Sequence, residues 1–284
     1  MEMANCTKLS RIPTGIESLD PLMQGGFPSG SLVLLLGEIG AGEFEFALTS
    51  CVRLLAAGEK QDGTAPKKVC YISFTRSKED VEKEIAFSFP SYYTVLQDSI
   101  SKKKFEFKDF SNAYFARSFI PAAWRSSLTT ELTFESLKWN DEQKNLVESL
   151  IDYLDKNAGG SIVIIDSLTA LTQYCLESMD WGDLVMFLRG LQKASKIWDG
   201  LVYAILNEGI LDRNKQEEIS ECMDGVMVFA WEKLGASQRQ RVMYFKKFRG
   251  LLPGLTQENI VNFETQISPQ KGFDVSNIKR VRGK

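Results

Sequence analysis

The most specific chemical signal in the chain lies in Gly37-Glu38-Ile39-Gly40-Ala41-Gly42-Glu43-Phe44-Glu45. An apolar run, Ser31–Leu36 (SLVLLL), leads into it and a helical pattern follows. Strand, glycine-rich turn, helix is the setting of the phosphate-binding pattern G-x-x-x-x-G-K-[ST]. In that pattern the loop amides cradle phosphate, the lysine reaches the β- and γ-phosphates, and the hydroxyl ligates Mg2+. Gly37 and Gly42 take the two glycine positions, with Gly40 between them. Glu43 stands in the lysine position and Phe44 in the hydroxyl position. Two unit charges about 4 Å apart interact by about 4 kcal/mol at an effective dielectric of about 20. Glutamate turns that attraction into repulsion, Glu38 and Glu45 add like charge, and a phenyl ring ligates no metal. Loop amides and the helix dipole still favour an anion. The expectation is therefore that the Glu43 carboxylate itself caps the loop, where a phosphate would sit. The plainer reading is a tight glycine turn with no ligand.

The rest of the composition narrows the chemistry. There are no histidines, which excludes imidazole acid–base catalysis and most zinc sites. Cys6, Cys51, Cys70, Cys175 and Cys222 form no C-x-x-C pair and read as free thiols of a reducing compartment. The net charge of -3 provides no global attraction for nucleic acid or an anionic membrane. Three local stretches do mix basic and aromatic or apolar residues: Lys102–Phe105, Phe245–Arg249 and Lys279–Lys284. They read either as single-strand nucleic-acid contacts or as solvated strand edges and a charged tail. The N-terminal MEMANCTKLSRIP has no apolar core, and no apolar run is long enough to span a bilayer. The expectation is a cytoplasmic protein with no membrane partner.

The positioning elements follow from the apolar patterning. Ser31–Leu36, Lys68–Phe74, Ser161–Ile165 and Leu201–Leu206 are short uninterrupted runs, as in parallel strands covered on both faces. Phe44–Ala57, Ser77–Phe87, Asp141–Asn157 and Trp181–Trp198 read as helices between them. The predicted fold is an α/β domain over residues 1–284, with a doubly wound, mainly parallel sheet and helices on both faces. Asp224–Trp231 and Gln240–Phe248 form a predicted hairpin, and Ile260–Ile267 and Phe273–Val281 a second antiparallel pair. Pro90–Trp139 is expected to be an irregular insertion holding one strand, Lys104–Phe110. Trp181, Phe187, Trp198, Met179, Met186, Met223, Met227 and Met243 are expected in the core.

With these elements in place, a resemblance emerges. Arg11–Gly42, RIPTGIESLDPLMQGGFPSGSLVLLLGEIGAG, closely resembles the opening of KaiC- and RadA-like proteins of the RecA-like ATPase superfamily. There R-[IL]-x-T-G-I-x-x-L-D-x-L-L-x-G-G-[IF]-P-x-G precedes the phosphate loop. Gly160–Leu171, GSIVIIDSLTAL, resembles their Walker B segment, which puts Asp166 in the metal-holding position. Leu206–Gly209 resembles the segment that places a polar residue after the next strand. DGVMVF…RVMYFKKFRG resembles their hairpin ending in K-x-R-G. The similarity runs from Arg11 to about Val281 and is weak over Tyr92–Lys138.

The resemblance implies a mixed inventory of site residues. The family's hydrolytic glutamate lies in a segment like S-F-E-E-S after the second strand; here Thr75 and Arg76 take the two acidic positions. Lys247 and Arg249 match the K-x-R-G residues that reach a neighbour's γ-phosphate, and they read equally as a solvated strand face. Asp166 lacks its hydroxyl partner in holding Mg2+ and reads also as a structural carboxylate. The expectation is a non-hydrolysing KaiC-like protein that needs no cofactor and acts through protein contacts or self-association in a signalling or regulatory assembly. Two alternatives stay open: ATP and Mg2+ bound atypically, with another Lys or Arg replacing the missing lysine, and a RadA-like paralogue binding single-stranded DNA.

Overall fold

The computed structural model describes residues 10–57, 66–116, 118–120, 146–235, 238–249 and 261–280. The early strands are β1 (Arg11–Ile12), β2 (Phe27–Pro28), β3 (Ser31–Gly37) and β4 (Val69–Ser73); β5 (Phe105–Asp109), β6 (Ile162–Asp166) and β7 (Leu201–Asn207) follow. The last four are β8 (Gly225–Leu234), β9 (Gln238–Phe248), β10 (Val261–Ser268) and β11 (Gly272–Arg280). The helices are α1 (Glu43–Ala57), α2 (Lys78–Ser88), α3 (Pro90–Ser101), α4 (Ser111–Phe115), α5 (Leu146–Asn157), α6 (Leu168–Cys175), α7 (Trp181–Trp198) and α8 (Arg213–Glu221).

Nine strands form one sheet in the order β11-β10-β9-β8-β3-β7-β6-β4-β5. From β8 to β5 every pairing is parallel, and the three pairings from β8 to β11 are antiparallel. The uninterrupted apolar runs have a physical reason. Along β3, Val33 and Leu35 join one core cluster, and Leu32, Leu34 and Leu36 join the other. The first cluster takes Phe46 of α1, Ile85 of α2 and Leu96 of α3. The second takes Leu150 of α5, Leu171 of α6, Leu188 of α7 and Ile219 of α8. Helices therefore cover both faces, and strands with no polar face are the result.

The Arg11–Gly42 motif is largely architectural. Asp20 accepts hydrogen bonds from Thr14 N at 2.6 Å, Thr14 Oγ1 at 2.7 Å and Gly15 N at 3.1 Å. This closes the turn that buries Ile16, Leu19 and Met23. A Cβ at Gly26 would lie 2.2 Å from the Ile12 carbonyl oxygen, so only glycine lets β1 and β2 approach. At the other end of the chain, Phe273 of β11 packs against Phe46 and Phe229. Its N–H donates to Thr49 Oγ1 of α1 at 2.9 Å.

Several expectations need correction. Of the irregular insertion expected over 90–140, the first half is regular: α3, β5 and α4 occupy it. Pro90 opens α3 in the first helical turn, where its missing N–H costs nothing. Residues 117 and 121–140 of the insertion, and residues 141–145 of the expected helix, lie outside the described residues. Two short helices, α6 and α8, were not anticipated. Met186 is 68% exposed rather than core, because it faces outward from α7; Met223, Met227 and Met243 are fully buried. Cys51, Cys70, Cys175 and Cys222 are buried free thiols, and Cys6 lies outside the described residues. Among the described residues no helix is long and apolar enough to cross a membrane.

Asp20→Ala is expected to lower unfolding free energy by about 2–3 kcal/mol in urea denaturation, since a charged acceptor serves three donors. Asp20→Asn, which retains an acceptor oxygen, should lose about half as much. A change below about 0.5 kcal/mol for Asp20→Ala would show that the turn does not need this carboxylate.

Candidate functional site

The loop between β3 and α1 keeps the geometry of an anion cradle. Gly40 and Gly42 have φ of 75° and 117°, conformations that L side chains rarely adopt. The cradle is filled by the chain itself. Glu43, the first residue of α1, is 7% exposed and folds back against Gly37, where an added Cβ would lie 2.3 Å from Glu43 Oε2. Gly42 N donates to the same oxygen at 3.1 Å. Burial raises the Glu43 carboxyl above its ordinary value. The amides of Glu43 and Gly42 oppose that shift, while Glu45 and Asp166 reinforce it. Burial likewise raises Glu45.

Beside the loop, parallel pairing sets Ser73 at the end of β4 opposite Asp166 at the end of β6. Ser73 Oγ donates to Arg76 O at 2.8 Å and accepts from Arg76 N at 3.0 Å. That tight turn directs the Arg76 side chain back across the strand ends. Ser77 caps α2 by accepting from Asp80 N. The Arg76 guanidinium donates to Asp166 Oδ2 and to Tyr71 Oη, and it forms an ion pair with Glu84. Tyr71 Oη also donates to Asp166 Oδ2. The guanidinium carbon lies 5.0 Å from the centroid of the Phe44 ring. Arg76 thus supplies the cation that pairs with Asp166 at the ends of neighbouring strands. The ring in the hydroxyl position supports it. Thr75, the other altered position, is exposed on the same turn.

The hairpin of β8 and β9 grips the loop from outside. Arg241 Nε donates to Gly40 O at 3.0 Å and its guanidinium carbon stands 4.4 Å from the Trp231 ring centroid. Trp231 Nε1 donates to Ile39 O at 3.3 Å. Reading the sequence missed Arg241, Trp231, Tyr71 and Glu84. Trp231 and Arg241 are directly opposed in the ladder, and no spacing in the chain announces that register. Tyr71 was hidden in an apolar strand run.

Lys247 and Arg249 are not brought to their own chain's loop. Lys247 pairs with Val226, three positions back from Phe229, which lies beside Gly37. At about 3.3 Å per residue that is roughly 10 Å along the strand. Lys247 Nζ donates to Ser220 O at 3.2 Å, Glu221 O at 2.8 Å and Glu221 Oε2 at 3.2 Å, capping the C-terminus of α8. Arg249 Nη2 lies 3.7 Å from Glu221 Oε1. Asn207, after β7, exchanges hydrogen bonds with Thr169 Oγ1.

Two outcomes follow. Arg76→Met should lower stability by about 2 kcal/mol, because Asp166 is left underpaired. The cycle with Asp166→Asn should show about 1 kcal/mol or more of coupling by denaturant unfolding; additive losses would mean that the two side chains act separately. Glu43 has a pH signature as well. Its folded pKa lies above the ordinary 4.5, so its contribution to stability falls as pH rises through the folded value. Glu43→Gln should therefore melt higher than the parent protein at neutral pH. That advantage should vanish below 4.5, where the parent carboxyl is protonated in both states.

Comparison with known proteins agrees with this architecture. The structure resembles that of a KaiC-like protein from the hyperthermophilic archaeon Pyrococcus horikoshii, with a TM-score of 0.63 at 17% identity. The match covers 95% of this chain and 100% of the other. No curated protein matches the sequence. The family model for the KaiC ATPase matches residues 12–276. By that match, over nearly the whole chain, the protein belongs to the KaiC ATPase family.

Proposed function

We propose that this protein is a KaiC-like pseudo-ATPase, one that does not hydrolyse ATP and works as a regulatory or scaffolding element through protein–protein contacts. The observation that carries this reading is the seating of Arg76 between Asp166 and Phe44. A side-chain cation tethered to the fold takes up Asp166 Oδ2 together with the Tyr71 hydroxyl, and the position where a loop hydroxyl would help complete an octahedral Mg2+ site holds the Phe44 ring. On the phosphate side, the Glu43 carboxyl presses on Gly37 and takes the Gly42 amide. Mg-ATP therefore does not fit these residues. A triphosphate entering the loop would have to displace a carboxyl from its amide and then face the charge of Glu45 at close range.

The atypical ATP-binding reading calls for a substitute cation, and two arginines lie at the loop. Both are engaged: Arg76 with Asp166 and Glu84, Arg241 with Gly40 O and the Trp231 face. That engagement favours the pseudo-ATPase. With the nucleotide site closed, the role passes to the protein's outer surface, and protein partners follow as part of the same proposal.

Calorimetric titration with Mg-ATP is expected to show no binding tighter than about 1 mM, equivalent to about 4 kcal/mol. No phosphate release above background should accompany it. The triple variant Glu43→Lys, Phe44→Thr, Arg76→Glu should tighten Mg-ATP binding by about tenfold or more. Micromolar binding or turnover by the unaltered protein would overturn the proposal.

A further inference from the structure

A second crevice opens at the carboxyl ends of β3 and β7, on the sheet face away from α1. It encloses about 600 Å3. Leu36 of β3 and Val228 of β8 form its apolar floor, and Leu211 stands at its side. Crevices outside the carboxyl ends of parallel strands are where α/β sheets accept ligands, and an apolar floor with a few converging polar groups is the usual composition.

The polar groups here are specific. Gln216 of α8 is 9% exposed and lines the crevice. Among the described residues its side-chain amide meets no hydrogen-bond partner. The amide faces the open crevice and offers both a donor and an acceptor to a group arriving there. Glu217 and Lys246 satisfy each other at the rim at 2.7 Å. That leaves one carboxylate, Glu208, and one guanidinium, Arg213, with no ion pair among the described residues. Tyr244 contributes a half-buried ring on the β9 side. Burial raises its phenol, and Glu208, Glu217 and Glu38 raise it further, so the potential at that end is negative.

We infer that this crevice binds a small zwitterion of the free α-amino acid class. Its carboxylate pairs with Arg213, its ammonium with Glu208 near the Tyr244 ring, and its side chain rests on Leu36, Leu211 and Val228, with one hydrogen bond to the Gln216 amide. A simple anion would leave Glu208 facing it without compensation, and a simple cation would meet Arg213. Only a ligand bearing both charges matches one spare acid and one spare base. Glu208 N donates to Gly37 O at 2.8 Å, so the crevice wall is tied to the nucleotide-type loop, yet the site does not depend on that loop binding anything.

The test titrates the full chain with each of the twenty common L-amino acids, with putrescine as a diamine and with succinate as a diacid, by calorimetry and thermal shift. At least one neutral amino acid is expected to bind, and the diamine and the diacid should bind about tenfold weaker or not at all. Glu208→Gln and Arg213→Gln, both at exposed positions, should each weaken that binding by about tenfold while leaving the far-ultraviolet circular dichroism unchanged. The inference fails if no amino acid binds at about 10 mM, if the diamine or the diacid binds as tightly, or if both variants bind as the parent protein does.

Discussion

A carboxylate at the end of a buried strand has to be met by a positive charge or by donors, and in this protein the Arg76 guanidinium meets Asp166. Much of the site's geometry follows from that pairing. Isolated charges pulled from water cost several kcal/mol, so the partner is fixed by its own turn and by its other contacts. Ser73 sets the backbone of Arg76, Tyr71 shares the same carboxylate oxygen, and the Phe44 ring supports the flat face of the guanidinium. Here an intramolecular cation does the neutralising, and it cannot be released without leaving a charge underpaired.

The loop shows the same economy on its anionic side. A glycine turn with exposed amides at a helix N-terminus attracts negative charge whatever its source. Glu43 supplies it from the next residue, at the expense of burying a carboxyl. Trp231 and Arg241 hold the outer carbonyls, and Ile267 and Phe273 of the last hairpin approach Gly42 closely, with an added Cβ placed 3.1 Å from Ile267 Cδ1. The loop is thus held in place from both sides, with a carboxyl of its own helix seated in it. Fold and activity are separable in this way because the fold rests on the sheet and its two cores, and the activity on a handful of side chains at strand ends.

The opening motif illustrates the separation from the other side. Thr14, Gly15 and Asp20 are the most recognisable residues of the chain, and they close a turn that buries Ile16, Leu19 and Met23. Their contribution to the function is indirect, through the start of β3. The crevice above Leu36 and Val228, by contrast, carries no motif. It arises because α8 and β9 meet beside the carboxyl end of β7, which places Gln216, Glu208 and Arg213 around one space.

Patterning and motif spacing were enough to establish the order of the main strands and helices along the chain, the two-sided cover of the sheet, both C-terminal hairpins and the place of Glu43 and Phe44 just after the glycine turn. Those features are local: strand runs, helical periodicity and the offset of residues from a glycine turn all lie within a few positions of one another. Helix α3 escaped because its aromatic-rich pattern follows a proline that reads as a breaker, and α6 and α8 are too short for periodicity to declare them. The pairing of Arg76 with Asp166 spans ninety positions, and that of Arg241 with Gly40 about two hundred. Sequence spacing carries no information on such contacts, because they depend on which strands lie side by side and in what register. Only the tertiary structure, by setting β4 against β6 and β8 against β3, decided which charges meet.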